Sequence, residues 1–590
     1  MSTGSICRAL RGLALLIGGL PVAGHGASAA GSTACPQDNA GLTLAPGFCA
    51  SVFADHLGHP RHLLAAADGV VYVNTWSGRY YRNAAPPRGG FLIALRDSKG
   101  NGHADVQQRF GETVHSGGAG GTGIALYKGY LYAESNDRIV RYALAPGAIA
   151  PTGPPQVIVS GLPLGGDHPM HPFAIDADGQ LYVDVASATN ACQKRNRMLH
   201  SAGIEPCAEL LTRAGIWRYD ANRTGQRFSP AERFATGIRN ADGIAIDASG
   251  HDVYATQHGR DQLAQNWPER YTIEQGALLP SEELLRVVHD GDYGWPECYY
   301  DPFARKLVLA PEYGGDGRKI GSCAGKREPV AAFPAHWAPD DLLISSGDQL
   351  PERYRHGAFI AFHGSWNRAP FPQGGYNVVF QPLEQGRAVG ECEIFAQGFA
   401  GPAPISDNAA HRPTGLALAA DGALYVSDDQ GGRIYRIAPD ARSAGSAAKI
   451  MPCPSLTAAP GKPVAASGAP PEGAHTNAGQ SANLPVPPGA TREMLRLGAR
   501  VYAGEVGGAT CVGCHGTDAS GTSLGPNLTD RHWLWSDGSL AGIRRTIVDG
   551  VPNPKQARSP MPAMGGARLD PDQVSAVAAY VWALSHRSGD

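Results

Sequence analysis

The stretch "RPTGLALAADGALYVSDDQGGRIYRI", Arg412–Ile437, holds the pattern that decides the fold. An apolar run, "TGLALA", reaches Asp421-Gly422, and a second run, "ALYVSD", follows it. Asp-Gly between two such runs predicts an antiparallel hairpin, because glycine supplies the positive φ of a tight turn. The phrase recurs as "HPRHLLAAADGVVYVNTWSG" from His59, "GTGIALYKGYLYAESNDRIVRY" from Gly121, "HPFAIDADGQLYVDVAS" from His171 and "ADGIAIDASGHDVYATQHG" from Ala241. A degenerate copy, "DLLISSGDQLPERYRHGAFIAFHGSW", starts at Asp341. One hairpin cannot bury both of its faces, but repeats stacked around an axis can, and ring closure protects the sheet edges. The expectation is a mainly β chain whose residues 30–453 form a six-bladed β-propeller; an open pair of β-sandwiches is the alternative.

Outside that region the composition changes. Residues 454–489 are rich in Pro, Ala, Gly and Ser without apolar period, which predicts a flexible linker. Helical spacing then appears at Met494, Leu497, Val501 and Tyr502. Asp570, Pro571 and Gln573 form a helix start, followed by an apolar stripe of Val574, Val577, Ala578, Val581 and Trp582. Residues 490–590 are therefore expected to be a small all-α domain. At the other end, Arg8 and Arg11, the apolar "LALLIGGLPVAG" and the small "ASA" at Ala27–Ala29 predict a secretory leader over 1–29 and a periplasmic address.

Charge is balanced, with 50 Lys and Arg against 53 Asp and Glu, and no basic block exists. Nucleic acid and acidic membrane surfaces are poor candidates as partners on that ground, and no integral membrane segment is expected in the mature chain. Eleven cysteines suit an exported protein. Cys7 leaves with the leader and Cys511 and Cys514 belong to a separate motif. The simplest pairing of the other eight in chain order is Cys35–Cys49, Cys192–Cys207, Cys298–Cys323 and Cys392–Cys453.

That motif is "ATCVGCHGTDASG", Ala509–Gly521. In C-x-x-C-H the thiols of Cys511 and Cys514 join haem vinyl groups and His515 becomes an iron ligand. A redox pair needs no adjacent histidine, and a zinc site lacks its second ligand pair. Met561 and Met564 are the candidates for the sixth ligand. The stretches "YAGEVGGATCVGCHGTDASGTSLGPNL" and "MPAMGGARLDPDQVSAVAAYVWALS" resemble small class I cytochromes c. That likeness implies one covalent haem c, favours Met561 of Met-Pro as iron ligand, and places Pro526 in the haem-packing loop.

A haem c moves single electrons and does no substrate chemistry by itself, so the propeller is expected to hold an electron donor. Gly118, Gly120 and Gly123 fit G-x-G-x-x-G but feed a strand, which argues against a dinucleotide site. "RDSKGNGHAD", Arg96–Asp105, lacks the spacing of a calcium loop and reads as a plain turn.

"GDHPMHPFAIDADGQLYV", "ATGIRNADGIAI", "ATQHGRDQL", "GDYGWPECYY" and "FIAFHGSWNR" resemble the soluble glucose and sorbosone dehydrogenase family, nearest its sorbosone and pyranose dehydrogenase-like members. The resemblance implies pyrroloquinoline quinone (PQQ) with calcium, and oxidation of a sugar or sugar-derived aldehyde. Asp167-His168 matches the family's Asp-His pair, with His168 as general base and Asp167 fixing the imidazole; His171 is the neighbouring alternative. Oxidising a hemiacetal hydroxyl needs a proton acceptor near neutrality, which imidazole supplies. Arg239-Asn240 matches the pair that polarises the quinone oxygen and bonds the cofactor edge. Gly259 and Arg260 fall where the family offers two backbone carbonyls to calcium, with Arg260 replacing the usual proline. Arg412 matches a cofactor-carboxylate arginine. The chain departs from the family at Thr414, where a second arginine stands, and at Ser365, Trp366 and Asn367, where a lysine stands; Arg368 is placed to restore that cation. Trp366 and Trp337 are candidates to stack on quinone or sugar. The expected partners are a small sugar or aldehyde and a downstream electron acceptor. A calcium-dependent propeller hydrolase such as a lactonase, and a sugar-binding propeller, are the rival readings.

Overall fold

The structure is a computed structural model that describes residues 36–78, 88–112, 120–365, 367–369, 371–402, 404, 409–440, 449–461, 484–502, 506, 509, 511–515, 519, 521, 525–556, 561–567 and 569–587. The leader, Cys35, Gly118, Trp366 and most of the linker lie outside these residues.

Six sheets carry the repeat. Their innermost strands are Pro60–Ala65, Ile124–Tyr127, Phe173–Ile175, Ile244–Ile246, Pro339–Ser345 and Pro413–Leu418. Each touches the next in order, and the last touches the first, so the sheets close into a ring as blades 1 to 6. Blade 6 is completed from the other end of the propeller: Phe48–Ala54 pairs antiparallel with Arg433–Pro439 as its outermost strand. That pairing closes the ring with backbone hydrogen bonds and leaves no open edge between first and last blades.

The alternation read from sequence packs one blade onto another. Leu63, Val71, Val73, Ile93 and Leu95 of blade 1 are buried against Ala417, Tyr425 and Ile434 of blade 6. At ~25 cal/mol per Å² of apolar surface, each such aliphatic side chain contributes about 1.5–3 kcal/mol. The turn at Asp421-Gly422 is as read, with Gly422 at φ +81° and Gln349 O where a Cβ would stand. The Arg96–Asp105 segment is a plain turn: Asp97 accepts backbone N–H bonds from Lys99, Asn101 and Gly102.

Insertions leave blades 3 and 4. Cys192–Cys207 staples the first, and Cys298–Cys323 staples the hairpin Cys298–Asp301 with Lys306–Leu309. Cys392–Cys453 ties blade 5 to the chain leaving the propeller, and Cys49 is disulfide-bonded. These are the expected pairs, apart from Cys49, whose expected partner lies outside the described residues.

The C-terminal domain packs helix Arg492–Tyr502 across helix Pro571–Ser585. Asp570 caps the latter, and its reciprocal bond with Gln573 completes a capping box, as the sequence predicts. The buried positions of the first helix differ from the expected stripe. Leu495, Gly498, Ala499, Val501 and Tyr502 are buried, whereas Met494 and Leu497 are half-buried. Gly498 sets this register, because a Cβ there would lie 2.1 Å from Ala576 O. The glycine lets the two backbones cross in contact. Helix Pro571–Ser585 is apolar almost all round, not along one stripe, because helix Leu540–Asp549 packs on it as well. Among the described residues no helix is long and apolar enough to cross a membrane.

Candidate functional site

In an antiparallel blade, the start of the innermost strand and the end of the next strand lie at the same end. His168 precedes Phe173–Ile175, Arg239-Asn240 precedes Ile244–Ile246, and Arg412 precedes Pro413–Leu418. Gly259-Arg260 follows Val253–Gln257, and Asn367-Arg368 follows Gly357–Phe362. The fold therefore collects residues from four blades on one end of the ring, opposite the hairpin turns.

His168 Nδ1 lies 2.8 Å from the Ser187 carbonyl, just past the second strand of blade 3. A carbonyl only accepts, so Nδ1 carries the proton and Nε2 keeps its lone pair. Burial, and then the Arg239 guanidinium, push this imidazole down to about 3. That is well below the near-neutral value expected of a general base. Asp167 tunes the imidazole through its charge, which raises the value against burial. Asp167 turns its carboxylate to Arg197 Nε at 2.9 Å, and Ser187 anchors the ring. His171 is buried, with Nε2 3.1 Å from Pro163 O and Nδ1 3.4 Å from Glu134. It is a core histidine whose Nε2 is hydrogen-bonded and whose buried Nδ1 is not.

Arg239 is buried and four-fold engaged. Nε and Nη2 bond Asn190, Nη1 lies 3.2 Å from Gly259 O, and Nη2 lies 3.1 Å from Asp261. Asp261 also receives Arg197 Nη1 at 2.8 Å and Asn367 Nδ2 at 2.6 Å. Two guanidiniums hold its carboxyl far below the ordinary range, against the opposing effect of burial. Asn240 is buried and its carbonyl accepts from His258 N–H. Gly259 N–H donates to Glu282, and the Arg260 side chain is spent on a buried pair with Glu312 at 2.5 Å.

Arg412 Nε bonds His363 O, Nη2 bonds Gly364 O, and its guanidinium stands over the Tyr376 ring. Arg368 is clamped by the carbonyls of Ala277, Ala335 and Pro372. That clamp fixes a loop and leaves Arg368 a poor replacement for a mobile lysine. Trp337 is a core residue, edge-on to Phe362 at 5.4 Å, so it offers no stacking face. Trp366 lies outside the described residues.

Sequence reasoning missed the groups on the axis itself. Arg61 Nη1 lies 2.9 Å from Asp429 and 3.2 Å from Asp340, and His363 Nε2 lies 2.8 Å from Asp429. Asp242, His258 and Asp340 bring two carboxylates and an imidazole within 4.8 Å, a set able to hold a metal ion. Burial and the neighbouring Asp340 push Asp242 up to about 7. The available signal was position: all six fall at a first-strand start or a second-strand exit, as the matched family residues do.

Several groups fit an oxygen-rich acidic cofactor with a hard cation. Gln262, buried at φ +62°, leaves both amide atoms without a hydrogen-bond partner, and so does Asn367 Oδ1. They flank Asp261, beside the buried Arg239 cation. A carbonyl has two lone pairs, so Gly259 O keeps one for calcium while accepting from Arg239.

In the C-terminal domain, a chiefly aromatic and aliphatic cavity is lined by Cys511, Cys514, His515, Pro526 and Met561, among others. His515 Nδ1 lies 2.9 Å from Pro526 O, which fixes the tautomer and leaves Nε2 free for iron. Met561 is held by two backbone hydrogen bonds with Val551. Met564, at φ +55° in the following turn, does not line the cavity. The thiols, the imidazole and the apolar walls fit a haem c.

Comparison with known proteins agrees with this division. The TrAA12-like family model matches residues 42–440, and the cytochrome c model matches residues 496–585. A pyrroloquinoline quinone-dependent pyranose dehydrogenase of Coprinopsis cinerea is 30% identical over 230 residues, 34% of this chain and 30% of that protein. The FixP subunit of a Bradyrhizobium cbb3-type cytochrome c oxidase is 43% identical over 96 residues, 16% of this chain and 32% of that protein. The chain thus spans about a third of the length of these curated relatives. The holo PQQ domain of the Coprinopsis enzyme superposes with TM-score 0.52 at 20% identity, covering 67% of this chain and 97% of that one. The calcium structure of the Trichoderma reesei family AA12 enzyme superposes with TM-score 0.54 at 17% identity, covering 68% and 97%. At such identities the likeness is one of fold. Matched across its whole propeller, this chain belongs to the TrAA12-like family and carries a cytochrome c domain behind it.

Proposed function

We propose that this is a periplasmic quinohaemoprotein dehydrogenase that oxidises a sugar or sugar-derived aldehyde at the propeller axis and passes the electrons to its own haem c, for delivery to a downstream acceptor. One observation carries the reading: His168 presents an unprotonated Nε2 on the propeller end where Arg239 is buried. When bound, PQQ with calcium supplies a hydride acceptor, and haem c takes electrons one at a time. Arg239, Asn240 and Arg412 would hold the quinone, Gly259 O and the carbonyl of Arg260 would hold calcium, and Cys511, Cys514, His515 and Met561 would hold the haem.

His168 takes the proton of the substrate's hydroxyl at Nε2, while Ser187 keeps the ring in the correct tautomer. Burial depresses its basicity most and the charge on Arg239 adds to that, so an anionic oxygen bound at Arg239 would offset only the smaller part. Arg197 and Asp261 hold Arg239 in place. The insertion between the second and third strands of blade 4, with helices Leu263–Asn266 and Ile273–Leu278, leaves from this end of the ring.

Purified protein is loaded with PQQ and calcium, then given a panel of aldoses and sugar aldehydes while the haem bands are followed. Reduction that requires all three additions is the expected result. No reduction by any substrate would sink the reading. The metal-capable set at Asp242, His258 and Asp340 favours one rival, a calcium-dependent lactonase, and lactone hydrolysis without haem reduction would select it.

A further inference from the structure

Helix Leu263–Asn266 begins four residues after Gly259 and touches the turn Ala563–Gly566, which begins two residues after Met561. The approach is close: a Cβ built on Gly566 would stand 2.6 Å from Gln265 Cγ and 3.0 Å from Gln265 Cβ. Gly566 is at φ +77°, so both backbone conformation and space call for glycine there.

Both partners are rigidly mounted. On the propeller, Leu263 and Ala264 are buried with Tyr271, Tyr299 and Val308, and Asn266 O accepts from His200 N–H at 3.0 Å. On the haem domain, Met561 is strapped to Val551 by backbone bonds of 2.8 and 3.0 Å. One short run of chain therefore connects the candidate calcium carbonyl to the contact, and another connects the contact to the candidate iron ligand. Six residues separate Gly259 from Gln265, so the first run spans at most about 20 Å even when extended. A domain free on a coil linker would have no use for a glycine fitted this closely to a side chain of the larger domain.

We propose that the contact between Gln265 and Gly566 is the docking surface through which electrons leave the propeller for the haem, on its methionine side. This rests on the dehydrogenase reading above. The two electrons taken from one substrate cross as two single transfers, each turning ferric iron to ferrous. Each is followed by delivery to an external one-electron acceptor, and the two protons go to solvent.

Two measurements test it in the full-length haem-loaded protein. A diazirine-bearing aliphatic residue in place of Gln265, with Gly566 kept, should on irradiation give an interdomain cross-linked peptide that contains Gly566. The same residue placed at Ser575, as the control, should not cross-link to the propeller. Separately, Gln265→Trp should slow substrate-driven haem reduction at least tenfold, while sugar oxidation coupled to a small dye stays within twofold and the haem spectrum is unchanged. Cross-linking no greater than in the control overturns the docking. Cross-linking with unaltered haem reduction in Gln265→Trp overturns the electron route. Wild-type protein without dye-coupled sugar oxidation overturns the dehydrogenase reading, and the cross-linking result still judges the contact.

Discussion

Arg239 Nη2 stands 3.1 Å from Asp261 Oδ2, an ion pair that joins the loop entering blade 4 to the insertion leaving it. The same carboxylate takes Arg197, which also pairs with Asp167. Replacing Asp261 by Asn leaves Arg197 its Asp167 partner but takes from Arg239 its paired carboxylate, where water cannot screen it. Breaking such a pair costs about 3–5 kcal/mol. Asp261→Asn should lower the urea midpoint of the propeller by a corresponding amount. Because folding holds the Asp261 carboxyl below its unfolded value, the wild-type contribution is complete above about pH 4 and is lost only as pH falls further. The variant's deficit should therefore be constant between pH 5 and 8.

His168 makes a prediction of the same sign in a higher pH window. Its folded value of about 3 lies below the unfolded value near 6.5, so the unfolded chain binds the extra proton between them. Stability from this group is intact above about pH 6.5 and declines as pH falls toward 3. Nuclear magnetic resonance of the apo protein should show His168 neutral at pH 5. His168→Ala should lower kcat/KM by about 10²–10⁴, the usual worth of a general base, with haem content unchanged.

The two methionines separate cleanly. Met561 lines the haem cavity and Met564 does not. Met561→Ala should remove the sixth ligand, open the ferric iron to added imidazole and lower the reduction potential by on the order of 0.1 V, within the ~0.8 V that axial ligands span. Met564→Ala should leave ligand binding and potential nearly unchanged. Equal effects of the two substitutions would contradict the assignment.

Gly498 offers a test of packing in the haem domain. Even Ala there puts a methyl 2.1 Å from Ala576 O and 2.8 Å from Tyr580 Cβ. Gly498→Ala gains helix propensity of about 1 kcal/mol and still should be destabilising, because overpacking a fixed helix crossing costs about 1–3 kcal/mol. Urea unfolding followed by the haem band would register the net loss. A stabilised variant would show that the crossing relaxes.

Much of the propeller was legible because its information is local. A turn at Asp421-Gly422 with alternating apolar runs dictates a hairpin wherever it occurs, and repetition dictates a ring. The capping box at Asp570 and the C-x-x-C-H at Cys511–His515 were readable for the same reason: their partners lie within three or four residues. The strand that closes blade 6 was not, since Phe48 pairs with Pro439 across nearly the whole domain.

The candidate site divides along the same line. Resemblance to the dehydrogenase family nominated His168, Arg239, Asn240 and Arg412, and linear order puts them at equivalent ends of their hairpins. Only the closed ring decided that the Ser187 carbonyl anchors the imidazole, that Arg260 is consumed by Glu312 and Arg368 by backbone carbonyls, and that Arg61, Asp340 and Asp429 meet on the axis. Hydrogen bonds and ion pairs act over about 3 Å, and these join residues tens to hundreds of positions apart. Covalent neighbours set which side chains reach that end of the ring, and tertiary packing sets which of them touch.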